Sequence, residues 1–186
     1  MRKLSLLKIL VAIFLLIVIT ISAIWFKSEK SNSYTEPQEA LFAIDKGLLL
    51  IPAYKLNKDS LFFFIKDKNN LGAAYVNEGL LGWKAGTLNL GPMNNKSNHY
   101  NLKDYQVQDE RLIYGLIKDG NERLIKVNKN DAQIINLAML PPNVIEEYQL
   151  EGLYIWYFES DTTLDGGELK LIDKNTGLVI DTAPLK

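Results

Sequence analysis

The chain contains no cysteine and a single histidine, and these two absences exclude several classes of protein. Without cysteine there is no disulfide, no thiolate metal site, no cysteine nucleophile and no residue to carry the lipid of a lipoprotein. The one histidine, His99, lies in an asparagine-rich stretch that predicts a solvated loop, so neither a zinc site nor a histidine-activated nucleophile is expected. Glycine-rich phosphate loops and the nucleophile elbow are missing as well.

Charge is nearly balanced over the 186 residues, but it is unevenly distributed. Residues 1–30 carry five basic side chains and one acidic side chain, a net charge of +4, whereas the remaining 156 residues carry 16 basic and 21 acidic ones, a net charge of −5. A mildly acidic domain argues against a nucleic-acid partner, which would favour a basic surface. The overall charge of −1 is therefore the sum of two segments of opposite charge, which we expect to have different surroundings.

Only one apolar run is long enough to cross a membrane, at residues 9–26, where 18 residues carry no charge. A helix of this length spans about 27 Å, close to the hydrocarbon core of a bilayer. The run predicts a transmembrane signal anchor rather than a cleaved signal peptide, whose apolar run is shorter and ends in a small-residue site. The flank 1–8 is more basic than residues 27–30, so we expect a cytoplasmic amino terminus and an extracellular remainder at the cell membrane.

Two short segments are expected between the membrane and the first strand. Residues 27–34 are polar and follow no pattern, which predicts a tether. A helix is predicted over 36–46, because Thr35 and Gln38 match a capping box and apolar residues follow at helical spacing.

After this helix, apolar residues tend to recur at every second position, which is typical of strands. Residues 35–90 are therefore expected to form a short helix on a four-strand antiparallel meander, with an edge strand at Pro52 because proline cannot donate to a ladder. The four predicted strands cover 48–56, 61–66, 71–77 and 80–90.

The second half of the chain predicts a separate lobe. Residues 91–104 are polar and are expected to form a loop, and 105–186 alternate short strands with turns, which predicts an all-β, sandwich-like lobe. Asp119-Gly120 lies between two apolar runs and predicts a hairpin. The predicted fold class is mainly β, of the α+β kind. The predicted strands cover 105–108, 111–118, 122–128, 132–140, 153–158, 168–173 and 178–181.

Five stretches of the chain carry a resemblance to known proteins, namely 68–76, 81–84, 113–117, 125–128 and 171–177. They resemble small exported or membrane-anchored proteins of bacilli, in which a helix-plus-meander lobe precedes an Ig-like β-sandwich tail. The resemblance covers most of residues 35–183, rests on turn and core motifs, and implies a fold and a location. Such proteins have no assigned activity, so it implies no functional residue.

Acidic side chains are the remaining candidates for chemistry. Glu146-Glu147 and Asp109-Glu110 are adjacent pairs whose side chains diverge, which favours solvated turns. The stretch 161–168 is the richest acidic cluster and is compatible with a cation site, but it lacks the spacing of a calcium loop and is typical of a flexible hairpin loop. We therefore predict no catalytic, cofactor-binding or metal-ligating residue and no cofactor. The acidic residues of that stretch are Asp161, Asp165 and Glu168.

Aromatic side chains are the other candidates, as a binding platform at Trp83 or a groove along 154–158. Aromatic residues in strands pack in the core or across strands more often than they bind ligands. We therefore expect Trp83 and Trp156 to pack.

Three functions remain open at this point. The favoured one is a single-pass membrane protein that presents an interaction module to another envelope protein by strand addition at an exposed edge, 48–56 or 178–181. The alternative is an extracytoplasmic sensor of a small ligand or cation, with a pocket near 91–104. An envelope carbohydrate-active enzyme is the third, and it would require two carboxylates that converge in a cleft.

Overall fold

The first element is a helix of membrane-spanning length. A computed structural model describes residues 2–56, 59–93 and 99–185. Helix α1 (Arg2–Ser31) leaves its apolar side chains from Leu7 onward exposed. Its segment Leu7–Ser31 reaches a mean hydropathy of 3.0, so by length and composition it is able to cross a membrane. Helix α1 includes the predicted span 9–26 and residues 2–8 of the predicted basic flank.

The predicted tether, 27–34, is wrong in its first half, because α1 continues to Ser31. Lysine and glutamate at positions 27, 29 and 30 are good helix formers. The Ser31 hydroxyl donates to the Ser28 carbonyl at 2.8 Å, and the Ser33 hydroxyl donates to the Glu29 carbonyl at 2.7 Å. These bonds satisfy carbonyls that the helix end would otherwise leave without partners.

The second half of the predicted tether is bound to strand β4 (Gly82–Ala85). The Tyr34 N–H donates to the Trp83 carbonyl at 2.9 Å, and the Trp83 N–H donates to the Tyr34 carbonyl at 2.8 Å. The Lys84 ammonium also forms an ion pair with the Glu29 carboxylate. A Cβ at Gly82, where φ is +132°, would lie 2.4 Å from the Tyr34 carbonyl oxygen, so the close approach requires glycine.

Helix α2 (Pro37–Ile44) is the short predicted helix, slightly shorter than 36–46. Its amino terminus is capped differently from the prediction, because Glu36 is the cap residue and Glu39 replaces Gln38. The Glu39 carboxylate accepts the N–H groups of Thr35 at 3.2 Å and Glu36 at 3.3 Å. The glutamate therefore satisfies two donors before the helix and also places negative charge in its first turn.

The first sheet confirms the antiparallel meander, in the order β1-β2-β3-β4. The predicted single strand over 80–90 is wrong, because it forms two strands that pair with opposite halves of β3. The Gly86 N–H donates to the Tyr75 carbonyl at 2.8 Å where the pairing is interrupted. The strands are β1 (Leu49–Leu56), β2 (Asp59–Lys66), β3 (Asn70–Gly79), β4 and β5 (Asn89–Pro92).

Two four-stranded sheets follow and confirm the sandwich-like lobe. Their apolar faces share one core, in which the fully buried Trp156 packs with Ile113 of one sheet and Leu169 of the other. The orders are β10-β11-β7-β6 and β13-β12-β8-β9. These strands are β6 (Gln106–Gln108), β7 (Leu112–Lys118), β8 (Arg123–Val127), β9 (Asn130–Asp131), β10 (Gln133–Asn136), β11 (Leu153–Glu159), β12 (Glu168–Asp173) and β13 (Val179–Pro184).

The hairpin predicted at Asp119-Gly120 is wrong. Strands β7 and β8, which flank this pair, belong to different sheets, and a 3₁₀ turn over Gly120–Glu122 connects them. A Cβ at Gly120 would lie 2.5 Å from a ring carbon of Tyr154. The glycine therefore lets the chain cross closely over a β11 side chain as it passes between sheets.

The second lobe is not entirely β, and the strand predicted over 132–140 is too long. Strand β10 ends at Asn136, a 3₁₀ turn follows over Leu137–Met139, and helix α3 (Pro142–Tyr148) comes next. Pro142 occupies the first turn of α3, where proline costs no hydrogen bond.

The chain divides into two compact units, and the division does not coincide with the predicted boundary at 91–104. The first unit contains α1, α2, β4 and the adjoining ends of β1 to β3. The second contains the other parts of those strands, β5 and both sandwich sheets. The bounds are Met1–Lys46, Tyr54–Leu61 and Tyr75–Thr87 for the first unit, and Gly47–Ala53, Phe62–Ala74 and Leu88–Lys186 for the second.

Candidate functional site

A groove of about 670 Å³ in the second unit brings charged, polar and apolar side chains together. We call it the His99 groove. His99 precedes β6, Lys118 ends β7, and the other lining residues come from α3, the turn after it and the start of β11. Those residues are Pro142, Ile145, Glu146, Gln149, Glu151 and Leu153.

His99 is only 5% exposed, so the prediction of a solvated loop histidine is wrong. Its carbonyl accepts the Lys118 N–H at 2.8 Å, which fixes residue 99 against the end of β7. Burial lowers the pKa of the imidazole below its ordinary value of 6.5. The nearby Asp104 carboxylate raises this pKa and the Lys118 ammonium lowers it further, both to a smaller extent than burial.

The segment after His99 is held by specific contacts and is not a solvated loop throughout. Leu102 is 1% exposed and belongs to the sandwich core. Its N–H donates to the Asp181 carboxylate at 2.9 Å. Of the predicted loop 91–104, residues 91–92 belong to β5 and residues 94–98 lie outside the described residues.

Lys118 brings a half-buried positive charge to the groove. Its ammonium nitrogen lies 5.8 Å from the centroid of the Tyr100 ring, within the range of a cation–π contact. In the part of the chain that the structure describes, this ammonium has no carboxylate within ion-pair distance.

Helix α3 positions the negative side of the groove. Glu146 and Glu147 were predicted to be solvated turn residues, but both are helical. Glu146 lines the groove, whereas Glu147 faces outward and pairs with Lys68 at 2.8 Å. Glu151, in the turn before β11, adds a second carboxylate, and among the described residues neither Glu146 nor Glu151 has an ion pair.

Sequence reasoning missed the acidic side of this groove because it missed α3. A signal for the helix was present, since a proline pair precedes Val144, Ile145 and Tyr148, which follow helical spacing. Lys118 had no comparable signal, because its role depends on the distant His99.

The edge of the third sheet is the other candidate. Strand β13 is the terminal strand, and the side chains of Leu178, Val179 and Ile180 are 68%, 53% and 44% exposed. An apolar groove of about 470 Å³ lies beside Ala183 and Pro184, at the end of the same strand. The predicted edge strand 48–56 corresponds to β1, which is also terminal in its sheet.

The aromatic candidates pack as expected. Trp156 is 1% exposed and Tyr157 is 4% exposed, while Tyr154 and Phe158 are half-buried against the sandwich core. Trp83 is half-buried beside the Tyr34 bridge. These side chains therefore do not form an exposed platform.

The acidic stretch 161–168 does not gather its carboxylates. Asp161 and Asp165 are exposed, and Glu168 pairs with Lys170 at 2.8 Å. Within the described ranges there is no cluster of three or more histidine or acidic side chains with the spacing of a metal site. Asp109 and Glu110 are exposed turn residues, as predicted, and the Glu110 carbonyl accepts the Leu164 N–H at 2.7 Å.

Comparison with protein-family models, with curated proteins and with solved structures finds no match.

Proposed function

We propose that this chain is a single-pass membrane protein whose β-rich domain contacts another protein of the cell envelope outside the cytoplasmic membrane. The length and exposed apolar surface of α1 support the anchor. The positive charge of residues 1–8 supports a cytoplasmic amino terminus.

The exposed edge of β13 is the observation that carries the interaction. Soluble proteins commonly protect edge strands with charged side chains or proline, because an unpaired edge invites another strand. Asp181 and Pro184 lie further along β13, but residues 178–180 contain neither a charge nor a proline, and all three are apolar and exposed. Such an edge supports binding by strand addition, in which main-chain hydrogen bonds contribute affinity and side-chain contacts contribute specificity.

The occupant that fits this edge is an extended, apolar segment of a second envelope protein. The net charge of −5 on residues 31–186 favours a segment that is neutral or basic. Complete burial of a valine or isoleucine is worth about 1.5–3 kcal/mol. Since Val179 and Ile180 are about half exposed, covering them contributes roughly 1 kcal/mol each.

The membrane topology is tested with single cysteines, which is direct because the chain has none of its own. A membrane-impermeant maleimide should label Lys129→Cys in intact cells, because Lys129 is exposed in the proposed extracellular domain. It should label Ser5→Cys only after the cells are permeabilised. Labelling of Ser5→Cys and not of Lys129→Cys in intact cells would contradict the orientation.

The docking edge is tested by a photoreactive amino acid at position 179 of the full chain in its membrane. We expect a cross-linked adduct of one defined mass, reduced about fivefold by Ile180→Lys because roughly 1 kcal/mol of apolar contact is lost. The control is the same photoreactive residue at Leu80, which is 86% exposed but lies outside β13. Equal yields from both positions, or an unchanged yield in Ile180→Lys, would contradict the proposal.

A further inference from the structure

The His99 groove carries charged side chains of both signs. Lys118 presents an ammonium, and Glu146 and Glu151 present carboxylates. Among the described residues none of the three forms an ion pair, whereas the neighbouring Glu147 on the outer side of α3 is paired with Lys68. The groove therefore presents charges of both signs to a ligand.

The groove also has an apolar component and a suitable size. Ile145 and Leu153 add apolar side chains to the lining. The volume of about 670 Å³ falls in the range of small-molecule sites, about 300–1,000 Å³. An entirely apolar ligand would cover these charges without compensating them, which is costly.

Other ligand classes fit less well. A polyanion would be repelled by the two carboxylates, and a divalent cation bound by them would leave the Lys118 ammonium without a carboxylate partner. A ligand that carries both a carboxylate and an ammonium satisfies each side by charge-assisted hydrogen bonds. We propose that the His99 groove binds a short zwitterionic peptide, whose carboxylate contacts Lys118 and whose ammonium contacts Glu146 or Glu151.

His99 supports this assignment and reports on it. Because burial lowers the pKa of its imidazole, the ring is neutral near pH 7 and does not add a second positive charge beside Lys118. Since His99 is the only histidine of the chain, its ring resonances in an NMR spectrum belong to this groove alone.

The test uses the full chain in phosphatidylcholine nanodiscs and tri-L-alanine as the probe, with the His99 ring resonances as the readout. We expect a saturable shift with tri-L-alanine. Each charge-assisted contact contributes about 1.5 kcal/mol or more, so amidation of the carboxyl end or acetylation of the amino end should weaken binding about tenfold. Blocking both ends should abolish the saturable shift.

Matched variants identify the contacts. Lys118→Met should weaken tri-L-alanine binding about tenfold but leave the weaker binding of its amide unchanged, because the amide lacks the carboxylate. Glu146→Gln or Glu151→Gln should weaken binding of ammonium-bearing peptides. Glu147→Gln makes the same chemical change on the outer side of α3 and should have no effect.

The outcomes that overturn the proposal are distinct from those that test the β13 edge. A non-saturable shift, equal shifts with the doubly blocked peptide, or a loss in Glu147→Gln as large as in Glu146→Gln would each overturn it. The experiments with blocked peptides use the unaltered chain, so they test the proposal even if a variant does not fold. Cross-linking from position 179 is unaffected by any of these results.

Discussion

Substitution of Gly82 by alanine should release the end of α1 from β4. Gly82 has φ +132°, a conformation that costs a residue with a side chain about 1–3 kcal/mol. The new Cβ would also lie 2.4 Å from the Tyr34 carbonyl oxygen, so the two hydrogen bonds between Tyr34 and Trp83 cannot persist. Their loss is worth about 0.5–1.5 kcal/mol each, and the total cost is about 2–6 kcal/mol.

The release is measured as the distribution of distances between two spin labels in the first unit. Spin labels on Ser28→Cys in α1 and Thr87→Cys after β4 are specific, because the chain has no other cysteine. Both positions lie outside the core, so the labels disturb little. Double electron–electron resonance in nanodiscs should give one narrow distribution for the parent chain and a broad one for Gly82→Ala.

Gly166→Ala is the matched control. Gly166 also has a positive φ, +72°, but a Cβ added there would have no atom within 4 Å, so this change introduces backbone strain without a collision. It should leave the distribution narrow. A broad distribution in the parent chain, or a narrow one in Gly82→Ala, would refute the inference that the Tyr34–Trp83 bridge holds α1 in place.

Two further results are expected from unfolding of the full chain in detergent. Gly120→Ala should lower the free energy of unfolding by about 1–3 kcal/mol, because its Cβ would lie 2.5 Å from the Tyr154 ring. The control, Asn121→Ala in the same turn, should change this free energy by less than about 0.5 kcal/mol. Equal effects of the two substitutions would refute the close packing of Gly120 against Tyr154. Burial lowers the pKa of His99 below 6.5 in the folded chain, so the unfolded chain takes up a proton more readily than the folded one. The stability that neutral His99 contributes is therefore complete above about pH 6.5 and is lost as the pH falls through the lowered pKa of the folded state. The difference in unfolding free energy between the parent chain and His99→Asn, which tolerates the φ of +47°, should therefore fall between about pH 7 and pH 5, and parallel pH profiles would contradict it.

The sequence predicted well those features that depend on the spacing of apolar residues along the chain. The uncharged run 9–26 predicts α1, and alternation in the second half predicts the sandwich, because side-chain periods of 3.6 and 2 follow from backbone geometry. The burial of Trp156 agrees with the expectation that aromatic residues in strands pack in the core.

The features that it did not predict depend on contacts between distant positions. Asp119-Gly120 has the composition of a hairpin, but Tyr154 makes the glycine necessary for a different reason. His99 lies in a polar stretch but is buried, and its carbonyl accepts the Lys118 N–H at the end of β7. Composition alone does not distinguish these cases.

The candidate site shows the same limit. Glu146 was recognised as one of an adjacent acidic pair, but adjacency alone did not indicate that α3 turns one carboxylate into the groove and the other outward. The edge at 178–181 was predicted, because turn residues before a short apolar strand are a local signal.

The ion pair between Glu29 of α1 and Lys84 of β4 limits how far β4 can move relative to α1. A flexible segment of about seven residues has an end-to-end distance of roughly 15 Å, so a domain attached through it could move by about that distance above the lipid. Instead, Glu29 is paired with Lys84. Glu29 lies about 4.5 Å along the helix axis beyond Phe26, the last residue of the uncharged run. With α1 in a bilayer, the first unit diffuses laterally with the lipid and samples a thin, two-dimensional layer, which favours encounters with other membrane-embedded proteins over distant parts of the envelope.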